Sequence, residues 1–314
     1  MTLRRPSALA ALLVGVGVGV GAALGAAGCS PSGGASPASA RSAPPPGPFG
    51  GVTAAESGRA AVALHAENER RVAACMRGRG FAYRPQPSRP GAGRPEPNPY
   101  GLLTPAGAAA DGYGVTGAAL AADPPADANG DRAADQRWQD ALLGTKAHER
   151  RLPMPDGSEF FYHADSCAVR ADLAQYGPEY LRLSNTFVVL GNRVADAVER
   201  DPRFVRARTR WSSCMAAAGH PAGALTDPVT AIGRELDAAG TDPAAVHAVA
   251  GRELDVARTD AGCQARAGLA DAVAAAQADA ERRVGGAYAR DLAELRAVRA
   301  KARAAALAAA GARS

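Results

Sequence analysis

The sequence predicts a mainly α-helical protein: a helical bundle with a small β-hairpin, a long Pro/Gly-rich loop and a long C-terminal helix, cross-linked by disulfides. Apolar residues recur at steps of three and four through most of the chain, which is the spacing that lines one face of a helix. The frame Cys-Met-x-x-x-Gly occurs twice, at Cys75 and at Cys214. In each copy the cysteine and methionine share an inner helical stripe, and the glycine ends the helix.

The amino terminus predicts export and lipid attachment. Two arginines precede an acid-free apolar run, 8–24, which is the pattern of a secretory signal. The following AAGC, ending at Cys29, is similar to the lipobox of bacterial lipoproteins, with Ala26 where leucine is usual. We therefore expect 1–28 to be a lipoprotein signal peptide and acyl chains such as palmitate on Cys29 to hold the protein on the extracytoplasmic face of the cell membrane. Ordinary cleavage after an A-x-A site and an uncleaved anchor are the alternatives.

The mature chain is predicted to be a tether followed by one domain. Residues 29–52 are Ser, Gly, Ala and Pro with almost no charge, which predicts a flexible tether. Residues 53–314 are expected to form one disulfide-stabilised helical domain. The formal net charge of +5 falls to +3 when Arg4 and Arg5 leave with the signal peptide. This charge is too small to indicate nucleic-acid binding.

The cysteines predict two disulfides. Four remain besides Cys29, namely Cys75, Cys167, Cys214 and Cys263, and an even number in an exported chain indicates paired thiols. Three connectivities are possible. The pairs 75–167 and 214–263 are favoured because each joins a Cys-Met frame to a cysteine that follows an aspartate in or just before a predicted helix. Aromatic residues make up only 5% of the chain, so the apolar core is expected to be thin and to need such cross-links.

The first half of the domain predicts two helices, a loop and a hairpin. The helices are expected over 54–79 and 133–143. Between them, 84–135 holds many prolines and glycines and is predicted to be an irregular loop, within which 97–114 has enough apolar residues to dock on the domain. The hairpin is expected over 151–162, with Asp156 and Gly157 as a two-residue turn.

The second half of the domain predicts helix almost throughout. The last segment carries apolar residues at steps of three or four, so it needs a partner helix within this chain or outside it. Gly285 and Gly286 interrupt that segment and predict a kink. The predicted helices cover 165–176, 178–199, 202–218, 227–239 and 243–310.

No catalytic, metal-binding or cofactor-binding residue is predicted. His163 and Cys167 stand four apart, and His148 precedes Glu149, but no zinc-protease or nucleophile motif accompanies them. Cys167 is better explained as half of a disulfide. Asp165 and Asp260 are interpreted as helix-start acids or as partners of nearby arginines.

Several segments together make the chain similar to a group of actinobacterial secreted lipoproteins with a repeated Cys-Met-x-x-x-Gly frame. These are the two frames, YGLLTPAGAAADGYG from Tyr100, W-x-x-A-L-x-G from Trp138, and ELDVARTDAGCQARAGL from Glu253. The resemblance covers most of the mature chain. It implies an exported, lipid-anchored, largely helical protein and carries over no catalytic residue. The chain departs from the group at His220, where an aromatic is usual.

We expect from these observations a membrane-anchored binding or accessory protein with an envelope protein as its partner. The loop 84–135 and the final helix are the candidate contact surfaces. A cell-envelope hydrolase and a passive spacer are the alternatives. Two close carboxylates in a cleft, or a histidine beside one, would favour the hydrolase.

Overall fold

A computed structural model of the chain describes residues 44–88, 98–120 and 127–312. The predicted signal peptide and Cys29 lie outside these residues. Helices dominate the described part, which confirms the predicted fold class. The elements are α1 (Pro48–Gly51), α2 (Gly58–Gly78), α3 (Pro105–Asp111), α4 (Gly117–Leu120), α5 (Gln136–Leu143), β1 (Glu149–Pro153), β2 (Glu159–His163), α6 (Cys167–Tyr176), α7 (Tyr180–Glu199), α8 (Pro202–Ala217), α9 (Asp227–Ala239), α10 (Pro243–Ala267), α11 (Leu269–Gly285) and α12 (Ala289–Gly311). None of the helices within the described ranges is both long and apolar enough to cross a membrane.

The two Cys-Met frames form the same kind of helix end. Gly80 follows α2 with φ +83°, and Gly219 follows α8 with φ +84°. The next residue in each case donates its N–H back to the methionine carbonyl, from Phe81 to Met76 at 3.0 Å and from His220 to Met215 at 2.9 Å. This is the hydrogen-bond pattern of a Schellman motif, which needs a left-handed glycine. Both methionine side chains are fully buried.

Both predicted disulfides are present, which confirms the favoured pairing. Cys75 joins Cys167, and Cys214 joins Cys263, each with 5.6 Å between the Cα atoms. The sequence separations are 92 and 49 residues. In the chain-entropy model, closing loops of this size lowers the entropy of the unfolded chain enough to contribute about 4 kcal/mol each.

Each disulfide belongs to a different apolar cluster. The larger cluster lies between α7, α8, α10, α11 and α12 and is centred on Phe187 and Trp211. It contains Cys263, with Cys214 packed against it. The smaller cluster joins α2, α5 and α6 around Trp138 and includes Cys167. The described residues thus hold a main core and a smaller one, each with its own cross-link, besides two minor clusters without a cysteine.

The C-terminal segment 243–310 is three helices and not one. A glycine in the left-handed conformation, Gly268 with φ +68°, separates α10 from α11. The predicted kink at Gly285 and Gly286 is confirmed, since a 3₁₀ turn over Gly286–Tyr288 separates α11 from α12. The apolar stripe of α12 is covered by α2 and α7 of the same chain, where Leu295 is fully buried. This stripe of the final helix is therefore not open to a partner outside the chain.

The hairpin is confirmed, but its predicted two-residue turn is wrong. Glu149 of β1 lies opposite His163 of β2 in an antiparallel pair. The Met154 N–H donates to the Ser158 carbonyl at 2.8 Å, and the Gly157 N–H donates to the Met154 carbonyl at 3.0 Å. Three residues therefore connect the strands, the last of them a left-handed Gly157. A turn followed by a left-handed glycine is the usual three-residue solution.

Two irregular regions are more ordered than the sequence predicts. Residues 44–52, assigned to the tether, belong to the domain because Phe49 and Val52 are buried in the larger cluster. The predicted loop 84–135 contains α3, α4 and a 3₁₀ turn over Gly130–Arg132. Its docking is confirmed for 98–114, where Tyr100 and Leu102 are buried. Residues 89–97 and 121–126 lie outside the described residues.

Candidate functional site

A cleft of about 770 Å³ lies between three segments of the chain. One wall is 44–57, which we call the anchor strap because it continues toward Cys29. The second wall is 98–114, and the third is the α7 face that carries Val188 and Asn192. A cleft of this size falls in the range that holds small ligands or short peptide segments.

The anchor strap is held by polar side chains of α11 and α12. Glu281 Oε1 accepts the Phe49 N–H at 2.8 Å, and Gln277 Nε2 donates to the Pro46 carbonyl at 3.0 Å. From α12, Arg296 Nη2 donates to the Phe49 carbonyl at 3.0 Å, and Arg299 donates to the Ala54 carbonyl at 2.5 Å. These bonds satisfy backbone groups that the Pro-rich strap cannot pair with itself.

Phe49 fixes the strap to the core. It is the one non-glycine residue with positive φ (56°) among the described residues, and it is 5% exposed. Its ring packs edge-to-face on Phe187, with 5.2 Å between the centroids. A left-handed conformation is unfavourable for a phenylalanine, so packing and hydrogen bonds must hold it there. A Cβ atom at Gly285 would lie 2.8 Å from Phe49 Cε1, so the break between α11 and α12 makes room for this ring.

The second wall is held by two buried acids of α10. Asp260 accepts hydrogen bonds from the Tyr113 hydroxyl at 2.9 Å, from Trp211 Nε1 at 2.7 Å and from Gln264 Nε2 at 3.0 Å. Burial raises the pKa of Asp260 above its usual range, although the three hydrogen bonds lower it. Burial likewise raises the pKa of Tyr113, and Asp260 adds to the effect. The prediction that Asp260 is a helix-start acid or an arginine partner is wrong, since it lies inside α10 and binds neutral donors.

Glu253 holds the same wall further along. Its carboxylate accepts the Val115 N–H at 2.7 Å, the Thr116 N–H at 2.8 Å and the Thr116 hydroxyl at 2.5 Å. A Cβ atom at Gly112 would lie 2.7 Å from Glu253 Cγ, so this turn requires glycine. Glu253 is 1% exposed and Asp260 is fully buried. Neither carboxylate is open to a substrate, so this pair does not form a hydrolase site.

A histidine does lie beside a carboxylate, since His148 Nδ1 is 3.2 Å from Asp165 Oδ2. The side chain of His148 is 58% exposed, and neither residue lines the cleft. The Thr145 N–H and hydroxyl donate to the two oxygens of Asp165 at 3.0 and 2.9 Å, so the hydroxyl proton points at the carboxylate. Burial acts to raise the pKa of Asp165. These hydrogen bonds outweigh it, so the pKa lies below its usual value. The cluster fixes the start of β1 to the start of α6.

Cys167 and His163, the other pair of candidates from the sequence, have structural roles. Cys167 is a disulfide half, and His163 Nδ1 contacts the Leu143 carbonyl at 3.2 Å. Within 44–88, 98–120 and 127–312, no three His, Cys, Asp or Glu side chains are grouped to hold a metal ion.

Sequence reasoning missed the residues that hold the strap. Gln277, Glu281, Arg296 and Arg299 stand among many other polar residues on helical surfaces, and no pattern marks them. The one available signal was Phe49, a lone aromatic within PPPGPFGG. A large aromatic side chain in such a tether is a candidate for burial.

The chain was compared with protein-family models, with curated proteins and with solved structures, and none of them matches it.

Replacing Gly285 with alanine tests the seat of Phe49. We expect Gly285→Ala to lower the free energy of unfolding by about 1 to 3 kcal/mol, because the added methyl overlaps the Phe49 ring. Gly286→Ala is the matched control, since a methyl group added there would have no neighbouring atom within 4 Å. Urea unfolding measures both variants. In a Phe49→Ala background the cost of Gly285→Ala should disappear, and an unchanged cost would contradict the assigned contact.

The pH dependence of stability tests the burial of Asp260. Its pKa is raised in the folded state, so its contribution to stability is greatest when it is protonated. The quantity of interest is the unfolding free energy of the wild type minus that of Asp260→Asn. It should fall as the pH rises from about 4, by about 1.4 kcal/mol for each unit by which the folded-state pKa exceeds the unfolded-state pKa. Above the folded-state pKa it should level off. Urea unfolding between pH 4 and pH 8 measures it. A difference that grows with pH would mean that the hydrogen bonds outweigh burial.

Proposed function

We propose that the protein is a lipid-anchored binding or accessory protein on the extracytoplasmic face of the cell membrane. Acyl chains on Cys29 hold it there, and the cleft receives an apolar segment of an envelope protein. The lipobox-like AAGC and the signal-like run before it support the anchor.

The observation that carries this proposal is that the anchor strap is itself a wall of the cleft. A bound segment therefore contacts the part of the chain that leads to the lipid. Only residues 30–43 separate Cys29 from Pro44. A chain of that length spans at most roughly 50 Å when fully extended, so the cleft stays close to the membrane.

The lining of the cleft defines the kind of segment that fits. Prolines, glycines, Leu103, Tyr113 and Val188 make it largely apolar, and Asp111 is the one charged residue among the described residues that line it. Val188 is 44% exposed, so its apolar side chain is accessible to a bound segment. The partner segment is therefore apolar.

Site-specific photo-crosslinking in intact cells tests the binding role. A photoreactive side chain at Val188 should form an adduct with an envelope protein. The same group at Val229, an equally apolar exposed position on α9, is the control and should not. Asn192→Trp, which fills the cleft, should abolish the Val188 adduct. No adduct at Val188, or the same adducts from both positions, would contradict the proposal.

Replacing Cys29 tests the anchor independently. Cys29→Ala removes the sulfur that takes the lipid, so the protein should move from the membrane fraction to the medium. Fractionation of cells and immunodetection measure the change. Retention equal to that of the wild type would refute lipidation at Cys29 and leave the cleft proposal to its own test.

A further inference from the structure

A second concavity, of about 420 Å³, lies between α2 and α6 and shares no lining residue with the cleft. Three of the seven described residues that line it are arginines, and none is acidic or aromatic. The seven are Arg71, Cys75, Gly78, Arg79, Arg170, Ala171 and Ala174. We call it the arginine pocket.

The positions of these residues follow from helix geometry. Residues 71, 75 and 78 lie on one face of α2, Arg79 follows directly at its C-terminal end, and residues 167, 170, 171 and 174 lie on one face of α6. The 75–167 disulfide locks the two faces together at a Cα separation of 5.6 Å. Glycine and alanine line the space between the helices, so the volume that a larger side chain would fill stays open.

The protein orients two of these arginines without neutralising their charge. Arg79 donates from Nη1 to the Ala141 carbonyl at 3.3 Å and from Nη2 to the Asp165 carbonyl. Arg170 Nε donates to the Ala164 carbonyl at 3.2 Å. Backbone carbonyls fix the direction of a guanidinium but carry no net charge. Within the described residues, neither Arg79 nor Arg170 forms an ion pair with a carboxylate.

Arg71 is only partly paired. Its Nη2 lies 2.9 Å from Glu67 Oε1, and its Nη1 donates to the Ala174 carbonyl at 3.3 Å. Glu67 is shared with Arg70, so its charge is divided between two cations. Arg71 Nε is shielded from solvent and has no hydrogen-bond partner among the described residues. The donors around the pocket therefore exceed the acceptors that the protein supplies.

The last carbonyls of α2 are occupied within the chain, since Met76 and Arg77 accept the N–H groups of Arg79, Gly80 and Phe81. The nearby Asp172 of α6 is not part of the lining, and its Oδ1 accepts from Asn68 Nδ2 at 2.8 Å.

We propose that the arginine pocket binds the phosphate group of a phosphorylated small molecule or lipid headgroup. A carboxylate offers two oxygens, whereas a phosphate offers three or four and carries up to two charges, so it can accept from three guanidinium groups at once. The pocket is larger than a free ion needs, so it also accommodates the organic group to which the phosphate is attached.

Binding is tested on the purified chain that carries Cys29→Ala, with two probes at 0.15 M salt. Calorimetry with glycerol 3-phosphate measures a soluble phosphate monoester, and sedimentation with phosphatidic acid vesicles measures a lipid headgroup that is also a monoester, with phosphatidylcholine vesicles as the reference. Saturable binding of either anionic probe supports the pocket, and the probe that binds identifies the source. Binding of neither probe overturns the proposal.

A pair of arginine variants shows whether the pocket is responsible. Arg170→Gln, which changes an exposed residue at the rim, should weaken binding at least tenfold, the value of one charge-assisted hydrogen bond. Arg77→Gln also removes one positive charge, from the last turn of α2 and outside the lining of the pocket, and should change the affinity less than twofold. Unchanged urea unfolding confirms that both variants fold. Equal weakening by the two variants would show nonspecific attraction and overturn the proposal.

Discussion

The architecture depends on two disulfides that each join the end of one helix to a second helix. The apolar interior of the described residues is divided into four clusters and is built largely from alanine, leucine and valine. Alanine and valine bury little apolar area per residue, so they gain little free energy to offset the entropy of an ordered chain. A cross-link that restricts the unfolded chain supplies part of the difference. In each Cys-Met frame, a disulfide lies next to a fully buried methionine, so the cross-link and the apolar contact act at the same helix end.

The candidate sites are built on these fixed helix pairs. The 214–263 disulfide fixes α8 against α10, and this places Trp211 within reach of Asp260. Asp260 in turn holds Tyr113 and the second wall of the cleft. The 75–167 disulfide has the same role for the arginine pocket, since it brings the arginines of α2 and α6 to one groove. In both places a covalent constraint positions polar groups that packing alone would hold less firmly.

Most helices and the hairpin could be predicted from the sequence, because helical periodicity and glycines at helix ends are local signals. The disulfide pairing was favoured among three possible connectivities, since each pair joins a Cys-Met frame to a cysteine that lies in or just before a predicted helix and follows an aspartate, and the structure confirms it. The break at Gly268 was missed because ARAGLADAV continues the apolar period across it. Phe49 and Asp260 could not be placed, because their roles depend on partners at distant positions: Glu281 and Gly285 for Phe49, and Tyr113 and Trp211 for Asp260.

Peptide mapping of the non-reduced protein by mass spectrometry tests the central claim most directly. The account predicts one linked peptide pair that contains Cys75 and Cys167 and another that contains Cys214 and Cys263, with no free thiol at these four positions. A link between Cys75 and Cys214, or free thiols in the folded protein, would contradict the architecture and both sites built on it.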